Sequence, residues 1–245
     1  MLKFRVARHK SFLLATTARS KKLSGIDNGI VCLFNGFIFH NGAETYFNNK
    51  LLCKNYFTND ELLKVLHLLN LNENKISIIT NNKYFANFDA LKYWSDIDNL
   101  EIFNSVEDLS RVFAPKINIM IERERQIKIF KNIFNVNTDF TIEFTDNYKY
   151  CIIEKSSSNK GNAVKFIKNH LKDYFTTTIA IGNDSNDIFM FKECDYKVCV
   201  SNSSRDLIEI ADTVIGSNNE EGVAKYLLTY LDGFDIHNIK ENVYN

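Results

Sequence analysis

The 245 residues are 45% hydrophobic and 13% aromatic, enough to bury one sizeable core or two modest ones. Lys+Arg and Asp+Glu balance at 30 each, so the totals give neither a basic face for nucleic acid nor an acidic tail. No uninterrupted apolar run approaches the roughly 20 residues of a membrane-spanning helix, and the opening MLKFRVARHK has charge but not the apolar core of a signal peptide. Cys32, Cys53, Cys151, Cys194 and Cys199 are odd in number and scattered, with no CxxC and no histidine at metal-ligand spacing, and they read as buried thiols of a reducing cytosol. The expectation is a globular, cytoplasmic protein with no nucleic-acid or membrane partner. Asn, Lys, Ile, Phe and Tyr are abundant beside the single Pro115, a bias suited to an AT-rich genome, so an isolated Asn carries little information.

In chain order, SFLLAT at 11–16 and GIVCLF at 29–34 are short apolar runs bounded by turn formers, as buried strands of a parallel sheet require. A capping box of Thr58 and Glu61 opens a helix over ELLKVLHLL. ISIIT at 76–80 and INIMI at 117–121 read as strands, with Ser105 and Asp108 a weaker helix start between them. ERERQIKIFKNIF puts Ile127, Phe130, Ile133 and Phe134 on one helical face. TIEF at 141–144 and YKYCIIE at 148–154 form a hairpin turning at Asp146-Asn147. From Lys160 onward helix and strand alternate strictly, the pattern of a parallel α/β sheet with crossover helices. The parse is an α/β, Rossmann-like parallel-sheet core over 1–47 and 149–245, interrupted by an α+β cap over 48–148.

IAIGNDSNDIFMF at 180–191 is an apolar strand ending in Gly182, then a polar turn and a helix. Ligands of open α/β sheets sit at the carboxyl ends of the strands, which places Asn183, Asp184, Ser185, Asn186 and Asp187 around such a site. Carboxylates and amide oxygens suit a hard cation such as Mg²⁺. An ordinary Asn/Asp turn that caps a helix accounts for this segment equally well.

GNDSND resembles the GDxxND signature of the haloacid dehalogenase-like phosphatases, in particular the branch of sugar-phosphate phosphatases with a large inserted cap. LATTARS at 14–20 is similar to that family's strand ending in T-G-R-S, and FNGFIFHNG at 34–42 to its Asn-Gly hairpin. SSSNKGNAVKFI at 156–167 resembles its lysine motif, and VCVSNSS, ADTVIG and EEGVAKYL its closing segments. The signature and six further weak motifs in family order make the resemblance specific, and it covers both parts of the core. It implies a Mg²⁺-dependent phosphatase of a small phosphorylated metabolite, with a sugar phosphate favoured by the cap.

The resemblance assigns Thr17, with the amide of Ala18, to holding the phosphoryl group, and Lys160 to neutralising its charge and orienting the nucleophile. It makes Asn183, Asp184 and Asp187 the metal-site residues and Arg19, Asn35, Asn186 and Asn202 phosphate or pocket contacts. For Asn35 a plain turn-forming role in Asn-Gly is an equal reading. Tyr84, Phe85, Tyr93 and Trp94 could stack on a sugar, although such spacing also suits the cap core.

Two departures stand out. The family's nucleophile and its acid/base partner form a DxD motif that ends the first strand, whereas no Asp or Glu precedes Asp27 here. The resemblance thus implies a chain that starts late, at an internal methionine, without a strand that should lie mid-sheet between SFLLAT and TTIAIG. Each inner-edge N–H or C=O left buried and unpaired costs on the order of 1–3 kcal/mol. The second departure is Asn183, where the family usually carries a metal-binding Asp; the amide keeps one oxygen and loses a charge. Residues 1–245 are therefore expected to be inactive as written, and the alternative is a non-catalytic remnant that binds a phosphorylated ligand or a protein.

Overall fold

A computed structural model describes residues 12–20, 34–80, 83–94, 99–136, 138–172 and 177–231. The chain opens with β1 (Leu14–Thr16), β2 (Gly36–Phe39), β3 (Glu44–Phe47) and β4 (Lys50–Lys54). It continues with α1 (Asn59–Leu68), β5 (Lys75–Ile79), β6 (Tyr84–Ala86), β7 (Leu100–Ile102), β8 (Lys116–Met120), α2 (Glu124–Asn135), β9 (Phe140–Thr145) and β10 (Tyr150–Lys155). Strict alternation follows in α3 (Lys160–His170), β11 (Ile179–Gly182), α4 (Ile188–Glu193), β12 (Tyr196–Val200), α5 (Arg205–Ile210), β13 (Thr213–Ile215) and α6 (Gly222–Leu231). Of the expected GIVCLF strand, 29–33 lie outside the described residues; the strand that pairs with β1 begins at Gly36.

The chain divides into two compact units. Of the described residues, unit 1 takes 12–18, 34–52 and 159–231, and unit 2 takes 19–20 and 53–158. Unit 2 is built on one six-stranded sheet in the order β7-β6-β5-β8-β10-β9. Alternate residues of its strands, such as Ile76 and Ile78, Ile117 and Ile119, and Cys151 and Ile153, bury one face. Leu62, Val65 and Leu66 of α1 and Phe130 and Phe134 of α2 join that core. The α1 capping box is complete: Glu61 N donates to Thr58 Oγ1 at 3.3 Å, and Thr58 N donates to Glu61 Oε2 at 2.8 Å. The β9–β10 hairpin turns where expected, with Asp146 and Asn147 both at positive φ (50° and 53°). β10 pairs with β8 on its other side, so the whole hairpin lies in unit 2, which runs to Ser158 rather than ending at 148.

In unit 1, β1 runs parallel to β2, which turns back antiparallel into β3, while β11, β12 and β13 are all parallel. The sheet expected from the sequence is present in two pieces, β1-β2-β3-β4, parallel in its β1–β2 pair, and β11-β12-β13, parallel throughout. Among the described residues no strand joins them, and β1 and β11 each end their piece. A shared core still unites the unit: Ile38 of β2, Ala163, Val164 and Ile167 of α3, and Ala180 of β11 belong to one apolar cluster.

Burial pushes the Cys151 thiol up to about 12, so little thiolate, the reactive form, exists near neutrality. We expect a thiol reagent at mildly alkaline pH to label the half-buried Cys53 in the native protein and Cys151 only after unfolding. Mass spectrometry of the labelled peptides reads the order; native labelling of Cys151 at the rate of Cys53 would show that unit 2 opens readily.

Candidate functional site

Three short segments of unit 1 converge at the carboxyl end of β11. The first is the turn that leaves β11, 183–187. Asp187 Oδ2 accepts from the backbone N–H groups of Asn183 at 2.9 Å and Asp184 at 3.2 Å, which folds the turn back on its own carboxylate. Gly182 makes room, since a Cβ there would lie 2.8–2.9 Å from the Asp187 side chain.

The second is the start of α3. Lys160 is its first residue, and Asn159 caps it by accepting from Asn162 N at 2.8 Å. A cation at a helix N-terminus opposes the helix dipole and needs compensation. Lys160 Nζ finds it by donating to Asp187 Oδ1 at 2.5 Å and to Asn186 Oδ1 at 3.0 Å. The two charged side chains are only 8% and 4% exposed. Gly161 allows this approach, because a Cβ there would stand 2.3 Å from the carbonyl oxygen of Phe189 in α4.

The third is the end of β1 with the loop after β2. Thr17 N donates to Ile38 O at 2.9 Å, and Thr17 O accepts from Asn41 N at 3.1 Å. Asn41 Oδ1 accepts from Asn186 Nδ2 at 3.4 Å, which ties the β1 end to the 183–187 turn.

The structure thus brings together Lys160, Asn186 and Asp187, with Asn183 and Asp184 on the same turn and Thr17 linked through Asn41; Ala18 follows Thr17 in unit 1. Asn35 is placed elsewhere. It precedes β2 at the end where the parallel strand β1 begins, opposite to Thr17, and its Oδ1 accepts from Leu13 N at 3.0 Å, the turn-forming role. Asn202 has its amide engaged at both ends by Asn218, as a donor at 2.8 Å and as an acceptor at 3.3 Å. Arg19 is exposed and belongs to unit 2. Of the cap aromatics, Phe85 is core, while Tyr93 and Trp94 cluster with Phe88, and Trp94 with Tyr150, at ring separations of 5.6–6.2 Å.

Sequence reasoning missed Asn41, whose HNG context signals only a turn. It also missed Lys116 and Glu154, which face one another across β8 and β10 on the sheet face of unit 2 opposite its apolar core. Burial holds the Lys116 ammonium below its ordinary value, against the opposing pull of Glu154 and Glu143.

This arrangement coincides with a match to the model of the haloacid dehalogenase-like hydrolases over residues 11–227. The chain belongs to that family. Its fold is shared with TM0651 from Thermotoga maritima, with a TM-score of 0.75 at 17% identity over 93% of this chain and 89% of that one. It is shared also with BT4131, a HAD subclass IIB sugar phosphatase, with a TM-score of 0.73 at 16% identity over 94% and 88% of the two chains. A phosphoglycolate phosphatase of Sulfurisphaera tokodaii is 37% identical over 76 residues, 31% of this chain and 33% of that protein. The chain thus spans about a third of the length of that curated relative.

Removing one partner of a buried ion pair leaves the other charge stranded, at a cost of about 3–5 kcal/mol. Asp187→Ala is expected to lose that much unfolding free energy in urea, and the double variant Lys160→Met/Asp187→Leu to regain most of it. Equal loss in both would mean that packing or the backbone hydrogen bonds to Asp187, not charge, dominate the site.

Proposed function

We propose that unit 1 is the phosphoryl-handling core, and unit 2 the specificity cap, of a phosphomonoesterase for a small phosphorylated metabolite, with a sugar phosphate the favoured class. The observation that carries this reading is the buried Lys160–Asp187 pair with the half-buried Asn186 at the carboxyl end of a parallel strand, tied to the end of β1, in a chain of this hydrolase family. In this proposal Lys160 offsets phosphoryl charge, and Thr17 with the Ala18 amide donates to phosphoryl oxygens. A cytoplasmic location belongs to the same proposal. Among the described residues no helix is long and apolar enough to cross a membrane.

The donor set does not fit a magnesium ion on its own. Mg²⁺ requires near-octahedral oxygen ligands at about 2.0–2.1 Å. Asp187 Oδ2 already accepts two N–H groups, and Oδ1 faces an ammonium that repels a second cation. Asp184 Oδ1 accepts from Ser185 N at 2.7 Å, and Asn183 brings no charge. Among the described residues no group of three His, Cys, Asp or Glu is placed to hold a metal. Magnesium dependence therefore enters this proposal only together with further carboxylates.

The nucleophile sets the same condition. Attack on phosphorus to form an aspartyl-phosphate needs a carboxylate at the strand end beside Thr17, and no Asp or Glu precedes Asp27. We expect residues 1–245 to hydrolyse p-nitrophenyl phosphate at background level, and a version carrying an apolar strand with a DxD end ahead of β1 to show magnesium-stimulated turnover. A well-folded graft that stays at background would count against the phosphatase reading. A second reading is a non-catalytic module that binds a phosphorylated ligand or a protein, since Lys160 and Asp187 already satisfy one another. Saturable heat on titrating sugar phosphates into the unmodified chain would support its ligand-binding form.

A further inference from the structure

His40, Asn41 and Gly42 occupy the left-handed region in succession, at φ 51°, 54° and 111°. Outside glycine this region is uncommon, with Asn, Asp and His its main occupants, so these three residue types suit the path. The segment is buried, with His40 1% and Asn41 7% exposed. Its path meets all three parts of the site. Asn41 N donates to Thr17 O, Gly42 lies so close to the α3 cap that a Cβ would stand 2.4 Å from Asn159 O, and Asn41 Oδ1 accepts from Asn186 Nδ2.

The last contact has a directional consequence. A carboxamide carries an acceptor on one arm and donors on the other. With the Asn186 NH₂ held by Asn41, its oxygen is the arm left for Lys160 Nζ, 3.0 Å away. The flipped amide would point N–H donors at an ammonium. We infer that Asn41 is a positioning residue: it fixes the amide orientation of Asn186 and, through it, the placement of the Lys160 ammonium. The inference rests on the phosphoryl-handling role proposed for Lys160, and its test separates the two.

Asn41→Gly keeps the left-handed backbone and deletes the acceptor, whereas Asn41→Asp keeps both. In ¹⁵N-labelled protein of residues 1–245, the Asn186 side-chain NH₂ and Lys160 ammonium resonances should both shift or broaden in Asn41→Gly and stay near wild type in Asn41→Asp. Affinity for inorganic phosphate should fall about three- to tenfold in Asn41→Gly, as loss of one neutral hydrogen bond implies. Unchanged Asn186 and Lys160 resonances in Asn41→Gly would overturn the inference. So would a common loss of Tm and of both resonances in the two variants, which would make Asn41 merely structural. A folded version carrying the grafted DxD strand that binds no phosphate in the presence of magnesium would sink the proposed function, and the resonances would still decide the role of Asn41.

Discussion

The buried Lys160–Asp187 pair is the constraint around which unit 1 is arranged. Two charges removed from water recover their hydration cost only if geometry is good and the remaining polar atoms are satisfied. Asp187 meets that demand by accepting Lys160 on one oxygen and two backbone N–H groups on the other. Lys160 meets it with the carboxylate and the Asn186 amide. These contacts dictate the tight turn after β11, and they explain why Gly182 and Gly161 stand where any Cβ would collide. A buried ion pair is weak evidence for stability, because apolar residues of similar volume often hold a fold nearly as well. Its presence at a helix N-terminus, the wrong end of the dipole for a lysine, adds to the lysine's need for the carboxylate.

Much of the fold was legible because its signals are local. The capping box at Thr58, the apolar face of α2 and the turn at Asp146-Asn147 each depend on residues within a few positions of one another, and each is present. The extent of unit 2 was not legible. Cys151 and Ile153 alternate into its core, but a strand of the α/β core would show the same alternation. What decides is that β10 pairs with β8, some thirty positions earlier, and no local pattern encodes that partner.

The site shows the same division. Lys160, Asn186 and Asp187 could be located because two motifs announce them, one opening a helix and one closing a strand. Asn35 and Asn41 could not be told apart, since each is the first residue of an Asn-Gly pair in a single stretch. Three residues of β2, Phe37, Ile38 and Phe39, lie between these pairs, and β2 runs parallel to β1. One asparagine therefore sits where β1 begins and the other where it ends, next to Thr17. Strand direction, a property of pairing, assigns the two their different roles.

In the proposed phosphatase, charge explains why added carboxylates and a metal would have to come together. Lys160 and Asp187 cancel, so the cluster offers a phosphate dianion no net positive charge, and Asp184 on the same turn adds repulsion. Carboxylates added alone would deepen that negative field. A divalent ion alone would compete with Lys160 for Asp187 and find too few free oxygens. Supplied together, each offsets the other's cost, because the ion neutralises the new carboxylates and they complete its shell. Asn183 moves this balance in a definite direction: with one charge fewer on the turn, the site asks less neutralisation of the ion and also holds it less firmly. In the proposed site Lys160 would carry a larger share of the charge facing the phosphoryl group, and the orientation of the Asn186 amide beside it would matter correspondingly more.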